Sequence, residues 1–368
     1  MKKASENITM FIKIDLKIYK KRCIIYYALK NMGDFHLMRE LIIGKNDAGQ
    51  RLDKFITKAL DIPMSLLYKS IRLKKIKVNT KRAEANMKLC EGDTIQCFLA
   101  DEFFEKGRKS GFSESSELSA AALDRMNAEL NIIYEDENIL LVNKPQGLSV
   151  HEDENNKANT LISYIQSYLY KKGEYLPENE QSFAPALCNR IDRNTMGIVI
   201  AAKNAEALRI MNEKIKERQI DKFYLAAIHG IPEKKEATLR GYLIKDERTN
   251  TVRVYDKNPP RGAKEIITKY KIIAKGVDSS LAEIELLTGR THQIRAHLSH
   301  VGHPLIGDGK YGVNKLDKSH GYKHQALCSY KLRFSFTGDK TALEYLNGKE
   351  FSIPKKDIYF TKEFFEKK

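Results

Sequence analysis

No CxxC pair occurs in this chain, and its five cysteines (Cys23, Cys90, Cys97, Cys188 and Cys328) are odd in number and widely spaced. That argues against a disulfide framework or a cysteine zinc site and points to a reducing compartment, the cytoplasm. No apolar run approaches the length of a membrane span. The basic N-terminus is interrupted by Asp15, Lys17, Lys20, Lys21 and Arg22, so it lacks a continuous signal-peptide core. A membrane partner is not expected. Acids are the minority charge: 48 Asp and Glu stand against 64 Lys and Arg in 368 residues, a formal net charge of +16. Such an excess favours polyanions, nucleic acid foremost. There is no internal repeat.

What is present divides by composition. Residues 1–37 match nothing that follows, and Met38 reads like a natural start, so 1–37 are expected to be an extension of doubtful structure. Residues 38–100 read as a small α/β domain. RLDKFITKAL has helical periodicity, SLLYKSIRLKK suits a second helix with Ser65 as N-cap, and IKVN and the stretch after Gly92 read as strands. Residues 101–130 are polar and rich in Ser and Gly, a linker ending in a short helix. Residues 131–368 form the largest unit. ILLVN, GIVIAAK, FYLAAIHG and LAEIELL are its strand candidates, and NAEALRIMNEKIKE is an amphipathic helix capped by Asn204. Strands outnumber helices without alternating regularly with them. The expected fold class is therefore α+β with a mixed, largely antiparallel sheet.

In the small domain, KSIRLKKIKVNTKR carries seven basic residues and no acid between Lys69 and Arg82. Lys69, Arg72 and Lys75 share one helix side, and Lys74 and Lys77 extend the cationic surface into the strand. A solvated face is the ordinary reading of such a run. Without any compensating acid, contact with RNA phosphates is the better one.

Four segments of the large domain concentrate polar side chains. NKPQGLSVH marks a turn after an apolar strand. NRIDRNTMG sets Asp192 between Arg190 and Arg193, where neighbouring cations favour a carboxylate able to act as nucleophile or base. On its own this run reads as a structural salt bridge. DKFYLA brings Tyr224 onto a strand, as core or as a flat ring for a base. LLTGRTHQIRAHLSHVGHPLIGDGKYG predicts a helix through Ile294, Leu298 and Val301, with His292 and Arg295 on one side. His292, His297, His300 and His303 raise a metal reading. HExxH is absent and no cysteine or acid stands at ligand spacing nearby, so no metal is expected.

Taken in order, RIDRNTMG, KFYLA and GRTHQIRAHLSHVGHPLIGDGKYG resemble the RluA family of RNA pseudouridine synthases over roughly residues 131–340. The helix, basic turn and EGDTI strand of residues 50–98 resemble the RNA-binding domain of small ribosomal subunit protein four. Its members often carry glycine where this chain has Lys74 or Lys75, and Thr80. The resemblance implies isomerisation of uridine to pseudouridine in structured RNA, large-subunit ribosomal RNA first and transfer RNA next, by a monomer that needs no cofactor. It makes Asp192 the catalytic aspartate, Tyr224 the stacking ring, and Arg295 the partner of Asp192. Arg190 would hold the space of the flipped nucleotide, Leu225 and Ile294 would line the base pocket, and Arg290 and His292 would support RNA binding. Where the family has His-Arg-Leu-Asp, this chain has Asn189, which removes a titratable ring and bears on a local contact, one to RNA. The rival readings are a non-catalytic RNA-binding or ribosome-assembly protein on the same fold, and a glycosidase. The second needs a partner acid that these segments do not display.

Overall fold

The computed structural model describes residues 38–60, 62–104, 118–127, 129–151, 159–312 and 314–365. The expected extension at 1–37, and residues 105–117 and 128 of the expected linker, lie outside the described residues. The described residues fall into two compact units. No helix among them is long and apolar enough to cross a membrane.

The first unit carries a 4-stranded antiparallel sheet of order β1-β4-β2-β3, with β1 Arg39–Ile42, β2 Ile76–Val78, β3 Lys81–Arg82 and β4 Thr94–Cys97. Two helices accompany it, α1 Leu52–Ala59 and α2 Met64–Arg72. Leu52, Phe55, Ile56, Leu67 and Ile71 are buried from the helices, and Ile76, Val78, Ile95 and Cys97 from the strands. Pro63, not Ser65, occupies the N-cap of α2. Its ring fixes φ and removes one of the donors that the first turn would leave unpaired. Lys69, Arg72 and Lys74 are exposed, and Lys75 and Lys77 half-buried. Lys74 (φ +62°) and Thr80 (φ +65°) adopt the left-handed backbone that glycine serves elsewhere. The turn geometry is kept without the glycines, at a conformational cost that is larger for β-branched Thr80.

The second unit is built on an 11-stranded mixed sheet, largely antiparallel, with main order β11-β10-β12-β13-β9-β14-β8-β6-β5. Its strands are β5 Ile132–Glu135, β6 Ile139–Lys144, β7 Ala186–Leu187, β8 Met196–Ala202, β9 Ile220–His229, β10 Glu236–Asp246, β11 Thr251–Tyr255, β12 Lys264–Lys275, β13 Ser279–Leu286, β14 Leu327–Phe334 and β15 Glu350–Ser352. The β14–β8 pair is parallel. Alternation along the central strands divides the core in two. Ile139, Leu141, Ile198, Ile200, Leu225 and Ala227 pack on one side with Ile210 and Met211. Leu140, Val142, Val199, Ala201, Tyr224, Ala226 and Ile228 pack on the other with Leu161, Ile165, Leu169, Ile294 and Leu298.

Those covering residues come from α3 Leu161–Lys171, α4 Ala205–Lys216 and α5 Gln293–His300. Thr160 and Ser163 close a capping box on α3, and Asn204 caps α4 by accepting from Ala207 N at 2.8 Å. Helix α5 stops at His300. Val301, expected on its buried face, is instead its exposed C-cap.

Candidate active site

The loop that carries Asp192 enters β8 from residues 188–195 and is tied down from several directions. Asn189 is buried, and its side-chain Oδ1 accepts from Ile200 N at 2.7 Å, so it replaces a missing strand partner. Asn189 thus ties the aspartate loop to the backbone of β8, and it also borders the cleft that Asp192 lines. Lys144, fully buried at the end of β6, donates to the carbonyls of Pro145, Leu148 and Arg193 at 2.8, 2.8 and 2.9 Å. Burial pulls its amine down to about 7, and the Asp192 charge acts in the opposite direction. Gly147 N donates to Arg193 O at 3.0 Å, and Thr195 N to Asp192 O at 3.0 Å. Gly197 closes the loop at φ +121°. A Cβ there would sit 2.3 Å from the carbonyl oxygen of Ser329, so glycine lets β8 lie against β14. The weak turn signal NKPQGLSVH thus proves to be the support of the aspartate loop.

Neither flanking arginine is an ion-pair partner of Asp192. Arg193 Nε donates to Gly147 O at 2.9 Å, and the exposed Arg190 makes no side-chain hydrogen bond or ion pair among the described residues. Arg295, in the first turn of α5, donates from Nη1 to Asp192 Oδ2 at 2.9 Å. Its other edge is taken by Asp308, with Nε–Oδ2 at 2.7 Å and Nη2–Oδ1 at 2.8 Å. Burial opposes both charges, but the paired bonds outweigh it: Arg295 is held above and Asp308 below its ordinary range. An acid thus does stand in the fourth segment. Asp308 is fully buried against Arg295, which leaves it no access to a substrate.

His292 is the N-cap of α5 in a left-handed conformation (φ +54°). Its Nε2 lies 3.8 Å from Asp192 Oδ2, and its Nδ1 lies 2.8 Å from the Tyr311 hydroxyl. Burial and the Arg295 charge depress its pKa against the pull of Asp192, which keeps the ring neutral near pH 7. His297, His300 and His303 face Thr268, Asp256 and the carbonyl of His229 respectively, each at 3.0 Å.

Asp192, Arg190, Tyr224, Arg290, His292, Ile294 and Arg295 line one cleft of about 500 Å³. Tyr224 is the fifth residue of β9 and is both core and cleft wall. Burial pushes its hydroxyl up to about 12, so the ring presented is a neutral phenol. Leu225 does not line the cleft. The two-residue period of β9 turns it to the opposite side of the sheet, into the core with Ile200 and Ala227. A larger cavity of about 710 Å³ is bordered by Glu135, Lys172, Glu174 and Lys203, whose charges are spent on one another.

A family profile described as RNA pseudouridylate synthase matches residues 138–300, the stretch that holds Asp192, Tyr224 and Arg295. A ribosomal large subunit pseudouridine synthase C of Vibrio vulnificus is 32% identical over 308 residues, covering 82% of this chain and 90% of that one. The chain belongs to the RluA family of RNA pseudouridine synthases. A protein of the same name from Vibrio parahaemolyticus is 34% identical over 276 residues (75% of this chain, 80% of that one). An uncharacterized RNA pseudouridine synthase of Mycoplasma genitalium is 33% identical over 305 residues (81% and 90%). The chain is accordingly an isomerase. Pseudouridine formation detaches a uracil from its ribose and rejoins it through carbon, which is a demand on positioning more than on redox chemistry.

Proposed function

We propose that this pseudouridine synthase acts on large-subunit ribosomal RNA, with Asp192 as its catalytic carboxylate; transfer RNA is the second candidate substrate. The observation that carries the catalytic assignment is the Nη1–Oδ2 contact of 2.9 Å between Arg295 and Asp192, with Arg295 itself locked by Asp308. That contact fixes the position of the carboxylate at the cleft wall. The ribosomal substrate is supported by the names of the Vibrio relatives.

In this reading the target uridine leaves its stack and enters the cleft, as any base inside RNA structure must before its glycosidic bond can be reached. The Tyr224 ring replaces stacking at about 1–3 kcal/mol. Ile294 packs against the base, Arg190 fills the space it vacates, and Arg290 meets the backbone. Asp192, beside Arg295 and His292, starts cleavage of the N-glycosidic bond. Residues 38–100 serve as an RNA-binding domain of the type found in small ribosomal subunit protein four, with Lys69, Arg72, Lys74, Lys75 and Lys77 as phosphate contacts. The exposure of Lys69, Arg72 and Lys74, and the alternation that sets Lys77 between buried Ile76 and Val78, support this. The enzyme works as a monomer in the cytoplasm, where ribosomal RNA is matured.

Asp192→Asn tests the assignment. Pseudouridine mapping of RNA from a deletion strain should show the modification restored by the wild-type chain and absent with the variant, while RNA affinity changes little. Restoration by Asp192→Asn would remove the aspartate from the chemistry.

A further inference from the structure

Lys222 belongs to KFYLA, yet neither the fold nor the chemistry above uses its side chain. It stands two residues before Tyr224 on β9, so strand alternation turns both to the same side, about 7 Å apart along the strand. Both line the cleft, together with Ile215, Leu286 and Lys245. Lys222 is half-buried, and among the described residues its ammonium makes no hydrogen bond or ion pair. The other lysine of the cleft is already engaged, since Lys245 meets Glu247 at 2.5 Å. Burial pulls the Lys222 amine below the usual lysine range, and no acid counters it.

A lysine withdrawn from water without a counter-charge is costly to hold as a cation, and an anion brought beside it lowers that cost. The cleft receives one nucleotide, whose base meets Tyr224. The anion that travels with that base is its own backbone phosphate, and the separation of Lys222 from Tyr224 along β9 matches the reach from a stacked base to it. We propose that Lys222 binds the backbone phosphate of the flipped nucleotide and so fixes how deeply the base enters the cleft. This rests on the reading of the Asp192 cleft as the uridine site. It adds a phosphate anchor inside the site, separate from the cations of the first unit.

The test uses the full chain and a synthetic RNA containing the uridine that the enzyme modifies, located by pseudouridine mapping. Lys222→Gln should raise Kd and KM about tenfold, the worth of one charge-assisted hydrogen bond. It should also flatten the log–log salt slope of binding by about 0.7. Lys222→Arg should recover most of both. A neutral methylphosphonate at one of the two phosphates flanking the target should cost the wild type a similar factor and cost Lys222→Gln nothing further. An unchanged Kd and slope in Lys222→Gln, or a loss confined to kcat, would overturn the proposal. So would a wild type indifferent to methylphosphonate at both positions, an arm that does not depend on the variant folding. Asp192→Asn assayed on the same RNA separates the two ideas, because conversion by that variant would refute the reading of the cleft whatever Lys222 does.

Discussion

Arg295 is shared by two carboxylates, with Asp308 on its Nε–Nη2 edge and Asp192 on Nη1. The buried pair with Asp308 fixes the guanidinium plane, and the third bond sets where the Asp192 carboxylate can stand. Asp308 is thus a positioning residue that reaches the chemistry only through Arg295.

Asp308→Asn keeps the shape but removes the charge and one acceptor. Breaking such a buried pair costs about 3 kcal/mol of stability. The misplacement of Asp192 that follows should lower kcat on the order of 10²-fold, with KM for RNA much less affected. Urea titration and single-turnover pseudouridine formation would measure the two losses. A variant with wild-type kcat would show that Asp192 needs no help from this pair.

His297 gives an acid-side dependence of stability. Buried against Thr268, its pKa falls from 6.5 to about 4. Between those values the unfolded chain takes up a proton that the folded chain refuses, so this contribution is intact above pH 6.5 and is lost as pH falls towards 4. The loss runs at about 1.4 kcal/mol per pH unit, at most about 3 kcal/mol in all. His297→Asn should flatten the fall of Tm across that window, and parallel Tm–pH curves for the two proteins would count against it.

Thr80 holds a left-handed backbone with a branched Cβ. Thr80→Gly should stabilise the first unit by about 1 kcal/mol, relief of strain exceeding the added entropy of the unfolded chain. Hydrogen exchange of the β2 and β4 amides would register the gain, and faster exchange would oppose it.

Lys74, Lys75 and Lys77 surround the start of β2, where Lys77 also lies 5.6 Å from the centre of the Phe98 ring. Reversing all three to glutamate should weaken RNA binding and reduce the salt slope by about 2, roughly 0.7 for each lost phosphate. An unaltered slope between 50 and 200 mM salt, measured by filter binding at salt settings of that order, would remove this surface from the interface.

Local pattern in the sequence made much of this architecture legible. Apolar runs marked β6, β8 and β9, alternation marked β13, and Asn204 marked the start of α4. Motif order then brought Asp192, Tyr224 and Arg295 to one cleft. What was hidden depends on pairing across the chain. The central strand β14 carries no stronger pattern than its neighbours, and its place between β8 and β9 is set by partners more than a hundred residues away. Asp308 sits in GDGKYG, which reads as a turn, and only the return of that turn under α5 exposes its role. Leu225 was misplaced for the opposite reason: a motif names neighbours in sequence, but a strand sends neighbours to opposite sides. Lys222 shows the same rule working in its favour, since it keeps company with Tyr224 by standing two residues away.

The distance in sequence between Asp192 and its supports has a consequence for synthesis. Asp192 leaves the ribosome well before Arg295 and Asp308, which lie 103 and 116 positions later. β14, which must slot between β8 and β9, follows later still. A nascent chain therefore carries the aspartate and the tyrosine long before it can set the one against its arginine or close the sheet around the other. An enzyme that modifies RNA is assembled among ribosomes, and its own chain order keeps it inert until translation of the catalytic unit is nearly complete.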